Sequence, residues 1–369
     1  MTETLKKPRE RLDFYDIVKA ITILLVMVGH GPKNGVYPLF RTVLYSFHMP
    51  LFFMVSGVFV RRHQSSGYGW DHWRDFLRKN LLALIVPYLI WALIYMPFDY
   101  QMVPCIFYGS YQLLSKAGTL TSLWFLTALF TARVLMELIL MSSQKLKKLD
   151  RHLYAALFAP VAFVISYLLP PSEIGYFFGF DCAFLGLGFM LLGYALKEWL
   201  QRMCEKKLWV HLLALLAATA LFLAGFLMQG ETPQVVKLYS NNPGKPVFFF
   251  LCAFSGIAIV LSLSAMLYRL FEAHRDSRFR RATLWIGGNT IGIYLLHKPM
   301  IQSVILPFLN AHFGLSSDHC LPCVLAAAIS LPVCCLLILL INRYVPQLFG
   351  KFPDPRRMAV QASTEAAEQ

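Results

Sequence analysis

Apolar residues run along the chain in ten blocks: 15–31, 42–60, 80–98, 120–141, 152–169, 177–196, 208–228, 246–268, 284–305 and 322–343. Short polar stretches, many of them basic, separate the blocks. Each block has roughly the 17–25 residues that a helix needs to cross a hydrocarbon core. Most are apolar all round, so they lack the polar face that a soluble helix turns to water. Lipid cannot satisfy backbone N–H and C=O groups, so a spanning segment is either a helix or a strand of a closed barrel. The shorter alternating segments of a barrel are absent from the sequence. The pattern predicts an all-α integral membrane protein, a bundle of about ten transmembrane helices. The competing reading, a soluble helical protein with a large core, needs amphipathic segments that most of these blocks are not.

Composition supports the membrane class. The chain is 57% hydrophobic but only 15% charged, with a mean hydropathy of +0.55; soluble domains carry about a quarter charged residues. Charge then adds orientation. Of the 34 lysines and arginines, 26 fall in the two termini and alternate loops, six in the remaining loops and two within helices. Cytoplasmic loops are the basic ones, so the bias places both termini in the cytoplasm, and it supports an even number of helices. The net charge of +14 is thereby accounted for by topology and anionic headgroups, with no nucleic-acid partner required. Asp16 and Lys19 interrupt the first block, and no small-residue cleavage site follows, so it reads as a retained helix rather than a cleaved signal peptide.

The organisation expected is a cytoplasmic segment at 1–14, one membrane domain at 15–345 and a largely disordered cytoplasmic tail at 346–369. The longest outer loops, near 99–119 and 229–245, are too short to fold on their own, so any chemistry has to use residues in or beside the helices. Gly179, Gly186 and Gly193 recur every seven residues and predict close packing of the sixth helix. Pro50, Pro87 and Pro97 predict kinks in the second and third. Eight cysteines are present; those inside helices read as small apolar packing groups, and Cys320 and Cys323 are too isolated to indicate a metal site.

Ionisable groups inside membrane segments are costly and mark function. On the first helix Asp16, Lys19 and His30 fall on one stripe, spanning about 21 Å by helical rise. Asp16 and Lys19 sit at the cytoplasmic end, where an i,i+3 ion pair alone would also explain them. His30 ends the helix between Gly29 and Gly31. His48, Asp181 and His297, on three other helices, are expected at the same outer level, with His297 closing the ninth helix. Histidine is the natural proton acceptor near neutral pH, and a carboxylate would orient its ring. Trp124 opens the fourth helix, where it either joins the acceptor site or belongs to the interfacial aromatic belt. Asp99 is the other acceptor-side candidate. At the inner face Arg61, Arg62, Arg74, Arg78 and Lys79 form a basic group able to bind phosphates, although topology also accounts for them.

The chain resembles the membrane-bound acyltransferase 3 family, and within it the fucose 4-O-acetylase-like branch. The residues that carry the likeness are Leu12-Asp13 through Asp16 and Lys19 to Gly29-His30; the run Phe47 to Gly57 that begins Phe-His-Met-Pro; Pro87-Tyr88; Leu123 to Leu126; Phe180-Asp181; and Ile286-Gly287 through Tyr294 to His297. The resemblance implies transfer of an acyl group, acetyl by expectation, from cytoplasmic acyl-CoA to a hydroxyl of a saccharide or similar cell-surface acceptor. Its setting would be the bacterial cytoplasmic membrane. It implies acetyl-CoA as co-substrate, with no permanently bound cofactor and no metal. His30 takes the part of catalytic histidine, with Asp16 and Lys19 in the family's acidic and basic positions. An Arg-x-x-Arg pair found in many members is replaced here by Arg78-Lys79, to which, with Arg62, the CoA-binding role is assigned. A transporter or flippase of a lipid-linked or small polar solute is the competing class. Its expected signature, a repeat relating two halves of the chain, is not evident in the sequence.

Overall fold

The computed structural model describes residues 8–32, 38–60, 69–96, 99–143, 149–231 and 233–352. Eleven longer helices organise them: α1 (Pro8–Gly29), α2 (Leu39–Val58), α3 (Trp70–Tyr95), α4 (Gly118–Ser142), α5 (Arg151–Leu168), α6 (Phe177–Ala195), α7 (Leu208–Leu227), α8 (Pro246–Ala273), α9 (Arg278–Gly288), α10 (Thr290–Phe313) and α11 (Cys320–Tyr344). No strand forms among the described residues beyond one isolated bridge, Lys237 to Asn242. Nine of the helices, α2–α8, α10 and α11, are long and apolar enough to cross a membrane. The 22-residue α1 is comparable in length but carries Asp13, Asp16 and Lys19. With it the helices make the multi-pass bundle that the hydropathy pattern predicts.

Proline positions explain the breaks. A proline ring removes a backbone N–H and collides with the carbonyl four residues earlier. In α2 the helix interrupts at Ser46–Phe47, four residues before Pro50. In α3 the turn Leu81–Ile85 widens to π geometry ahead of Pro87, and in α10 Met300–Ile305 does the same ahead of Pro307. Pro97 lies outside the described residues.

α1 occupies the centre of the bundle and packs on α2, α8, α9, α10 and α11. Ile17, Val18, Ile23 and Met27 on it are fully enclosed. Glycines bring α6 and α2 to backbone distance: a Cβ on Gly193 would strike the Met54 carbonyl, and one on Gly57 the Met190 carbonyl. Gly186 faces the Phe53 ring in the same seam. Gly179 is not part of it. It precedes the regular helix with φ +60°, a left-handed conformation suited to glycine. The apolar windows of α5, α7 and α11 are only 28% buried, against 72% in α6. Three mostly uncovered apolar helices around a packed centre are what a lipid-surrounded bundle requires.

Two sequence expectations need correction. The ninth apolar block was expected to begin at residue 284, but residues 284–288 belong to α9, and the spanning helix starts at Thr290. The break falls at Asn289, which leaves helical geometry while its side-chain amide donates to the Trp285 carbonyl at 2.9 Å. Gly287 meanwhile packs directly on the Asp16 carbonyl of α1. Hydropathy could not show the break, because the residues before Asn289 are themselves mainly apolar or glycine. The second correction is depth. His297 does not close its helix; sixteen residues of α10 follow it, about 24 Å of rise. His48 likewise lies nine residues into α2. Both histidines are buried within the bundle.

The tail expected from residue 346 also begins by packing. Leu348 accepts a hydrogen bond from the Trp91 indole at 2.8 Å, and Phe349 stacks on that indole at 6.0 Å. Residues 353–369 lie outside the described range.

Candidate functional site

The break after Gly29 places His30 just past the end of α1, its N–H still bonded to the Val26 carbonyl at 3.0 Å. Glycines on both sides fit tightly. Gly29 abuts Tyr45, and Gly31 leaves no room for a side chain beside Cys323. The amide of Gln302, on the π turn of α10, donates to the His30 carbonyl at 2.8 Å and the Pro32 carbonyl at 3.0 Å. The end of α1 is thus fixed against α2, α10 and α11.

Against His30 lies His297, whose side chain is fully enclosed, with ring centroids 5.1 Å apart. His297 Nδ1 is 2.7 Å from the Tyr294 carbonyl and 3.1 Å from that of Ile293. A carbonyl only accepts, so Nδ1 carries the proton and Nε2 presents its lone pair. Among the described residues Nε2 has no hydrogen-bond partner, and neither does the buried Nδ1 of His30. His48 is fixed in the same tautomer, its Nδ1 donating to the Leu44 carbonyl at 2.6 Å. Tyr45 lies beside both, 6.2 Å from the His30 ring and 5.0 Å from that of His48. The three histidines expected to converge are therefore brought together. Asp181 is not with them: it opens α6, buried, and no hydrogen bond or ion pair among the described residues joins it to a histidine. Its carboxyl sits in the first turn of the regular helix that starts at Phe180, next to Cys182. The centre is a pair of histidine rings rather than a histidine–carboxylate dyad.

One turn of α10 from His297 is a partly open cavity of about 400 Å³, lined by α1–α4, the α9–α10 junction, α10 and the segment after α11. Phe52, Val55, Leu84, Leu126 and Leu129 make its apolar wall. Tyr294 lines it too, one turn before His297, with rings 5.8 Å apart. Three cations reach the same space: Lys19, Arg133 and Lys351. Lys19 pairs with Asp16 at 2.7 Å and lies 5.0 Å from the Phe59 ring. Arg133 donates to Asn80 at 2.9 Å, and Lys351 to Asn289 at 3.1 Å. Partial burial holds the Lys351 ammonium below the ordinary lysine value.

Other expected site residues lie elsewhere. Arg78 and Lys79 are exposed in the first half of α3 and do not line the cavity. Arg62 lies outside the described residues. Trp124 is buried, 6.2 Å from the Tyr239 ring. Asp99 is exposed and accepts from the Gln101 N–H at 2.9 Å. Among the described residues no three His, Cys, Asp or Glu side chains are grouped to hold a metal.

The sequence reading passed over Arg133, Lys351, Arg41, Lys298 and Tyr294. Arg133 is visible as a charge within an apolar block, and Lys298, counted above among the loop charges, as one directly after His297.

Comparison with known proteins follows the same lines. No solved structure matches the chain. Nodulation protein NolL of Mesorhizobium japonicum is 23% identical over 343 residues, covering 85% of this chain and 83% of that protein. A family model described as an acyltransferase domain matches residues 12–343, a stretch that runs from the start of α1 to the end of α11 and takes in the histidine pair and all but the last cation of the cavity. The protein therefore belongs to the acyltransferase 3 family of membrane acyltransferases.

Proposed function

We propose that the protein moves an acetyl group from cytoplasmic acetyl-CoA to a hydroxyl of a saccharide or related cell-surface acceptor, across the bacterial cytoplasmic membrane, with residues 15–345 as the catalytic domain and both termini inside. The observation that carries this reading is the run from three cations, through an apolar cavity, to Tyr294 and the His297–His30 pair. Phosphates suit the cationic end. A thin pantetheine arm suits the apolar wall.

An acceptor hydroxyl is a weak nucleophile until a base takes its proton. His30 is the proposed base, and His297, in ring contact with it, orients it and shares the proton. The hydroxyl oxygen forms a bond to the thioester carbonyl carbon while its proton passes to the imidazole. The tetrahedral intermediate then expels the CoA thiolate, which recovers a proton from the imidazolium. Acetyl-CoA acts as co-substrate and no permanent cofactor takes part.

Purified protein incubated with acetyl-CoA and surface saccharide releases CoA thiol in step with ester formation; a transporter releases none. Arg133→Gln together with Lys351→Gln is expected to raise KM for acetyl-CoA about tenfold, ~1.4 kcal/mol of binding, with kcat little changed. Arg62, Arg78 and Lys79 are also proposed as contacts for CoA phosphates. Unchanged acetyl-CoA affinity after Arg78 and Lys79 are both neutralised removes them from that role.

A further inference from the structure

Directly after His297 comes Lys298, 3% exposed. Its ammonium donates to the Gly118 carbonyl at 3.1 Å and to the Thr121 hydroxyl. These account for two of its three donors. It forms no ion pair among the described residues. A second cation, Arg41, is 4% exposed and donates to the Tyr45 hydroxyl at 2.8 Å, its guanidinium 4.8 Å from that ring. Tyr45 in turn lies 6.2 Å from the His30 ring. One buried cation thus follows His297 directly in the chain, and another is held on the tyrosine beside His30.

A lysine is a costly way to tie a turn inside a membrane bundle, since a neutral amide could donate to the same carbonyl and hydroxyl. A cation held at fixed position near imidazole bases is suited to one task in particular: accepting negative charge that appears only during reaction. We propose that Lys298 is a catalytic residue that stabilises the oxyanion of the tetrahedral intermediate, with Arg41 adding to the positive field. The inference rests on the acyl-transfer reading above. As the acceptor oxygen bonds to the carbonyl carbon, the carbonyl π pair moves onto oxygen, and the Lys298 ammonium donates to it. When the pair returns, the C–S bond breaks and the thiolate leaves. Gly118 and Thr121, at the start of α4, hold the ammonium in place, so no reorganisation is required as charge develops.

The test is acetyl-CoA hydrolysis by the purified, detergent-solubilised protein, with water as the accepting hydroxyl and thiol release as the readout. Lys298→Met is expected to lower kcat by about 10²–10³-fold with KM for acetyl-CoA unchanged. Lys298→Gln keeps donors for Gly118 and Thr121 but removes the charge; it is expected to fold with wild-type thermal stability and still lose about 10²-fold in kcat. Lys298→Arg recovers part of that loss. Wild-type kcat in the folded Gln variant overturns the proposal. So does a loss carried by KM, which would mean that the lysine binds an anionic group of the substrate in the ground state. Folded wild-type protein that releases no thiol, and transfers no acetyl group to surface saccharide either, overturns the acyl-transfer reading and this inference together. Turnover by the wild type with an undiminished Gln variant overturns this inference alone.

Discussion

Membranes containing His30→Ala are expected to transfer no acyl group above background, while the variant remains folded and still binds acetyl-CoA. A general base contributes about 10²–10⁴-fold, so its removal should appear in kcat. The side chain borders tight glycine contacts at Gly29 and Gly31, but its own Nδ1 has no partner among the described residues. Shortening it therefore breaks no structural hydrogen bond at that atom, and stability should change little. His297→Ala is expected to lose activity to a similar degree, since the two rings are in contact. His48→Ala is expected to keep most of the activity, because the His48 ring is tied to the Leu44 carbonyl and Tyr45 lies at its side. Measuring kcat and KM for all three variants separates the cases. Full activity in His30→Ala rejects the assignment of the base.

Gly193→Leu is expected to give the largest loss of stability. Even a Cβ there meets the Met54 carbonyl, a backbone atom that no rotamer change can move. Overpacking a close interface costs about 1–3 kcal/mol, and here α2 and α6 must separate for the added atoms to fit. Separation would loosen the reciprocal contact at Gly57 and shift α2, which carries His48 and the Phe52 and Val55 wall of the cavity. The measurement is thermal unfolding in detergent, with acetyl-CoA turnover alongside. Gly69→Leu is the control, since nothing lies within 4 Å of a Cβ there. Equal melting of the two variants would show that the α2–α6 seam is not tightly determined.

Sequence reading located the histidines but misjudged what surrounds them. His30, His48 and His297 were recognisable as ionisable groups in apolar blocks; His30 and His297 meet, and Tyr45 lies between His30 and His48. Asp181 carried the same signal and lies apart, because one sequence reports depth along a helix but not which helices adjoin. Depth itself failed where the boundary was hidden: Gly288 and Asn289 end α9 without a polar interruption large enough to show in hydropathy, so His297 was placed at a helix end. The cations show the opposite error. Arg133 and Lys351 are about 220 residues apart in the chain, and no local pattern relates them, yet both reach one cavity.

The sequence by itself determined the solvent of this protein, the all-helical class and the approximate spans, because a membrane imposes a length and a polarity on every crossing segment. Its prolines also marked where α2 and α3 depart from regular geometry. Only the tertiary structure decided that α1 lies at the centre, that the His30 and His297 rings come into contact while no bond among the described residues joins Asp181 to either, and that Lys298 and Arg41 are buried. Those facts depend on which faces pack together. In a bundle of uniformly apolar helices, the faces are selected by close glycine contacts and a few buried polar bonds whose partners lie far apart in the chain.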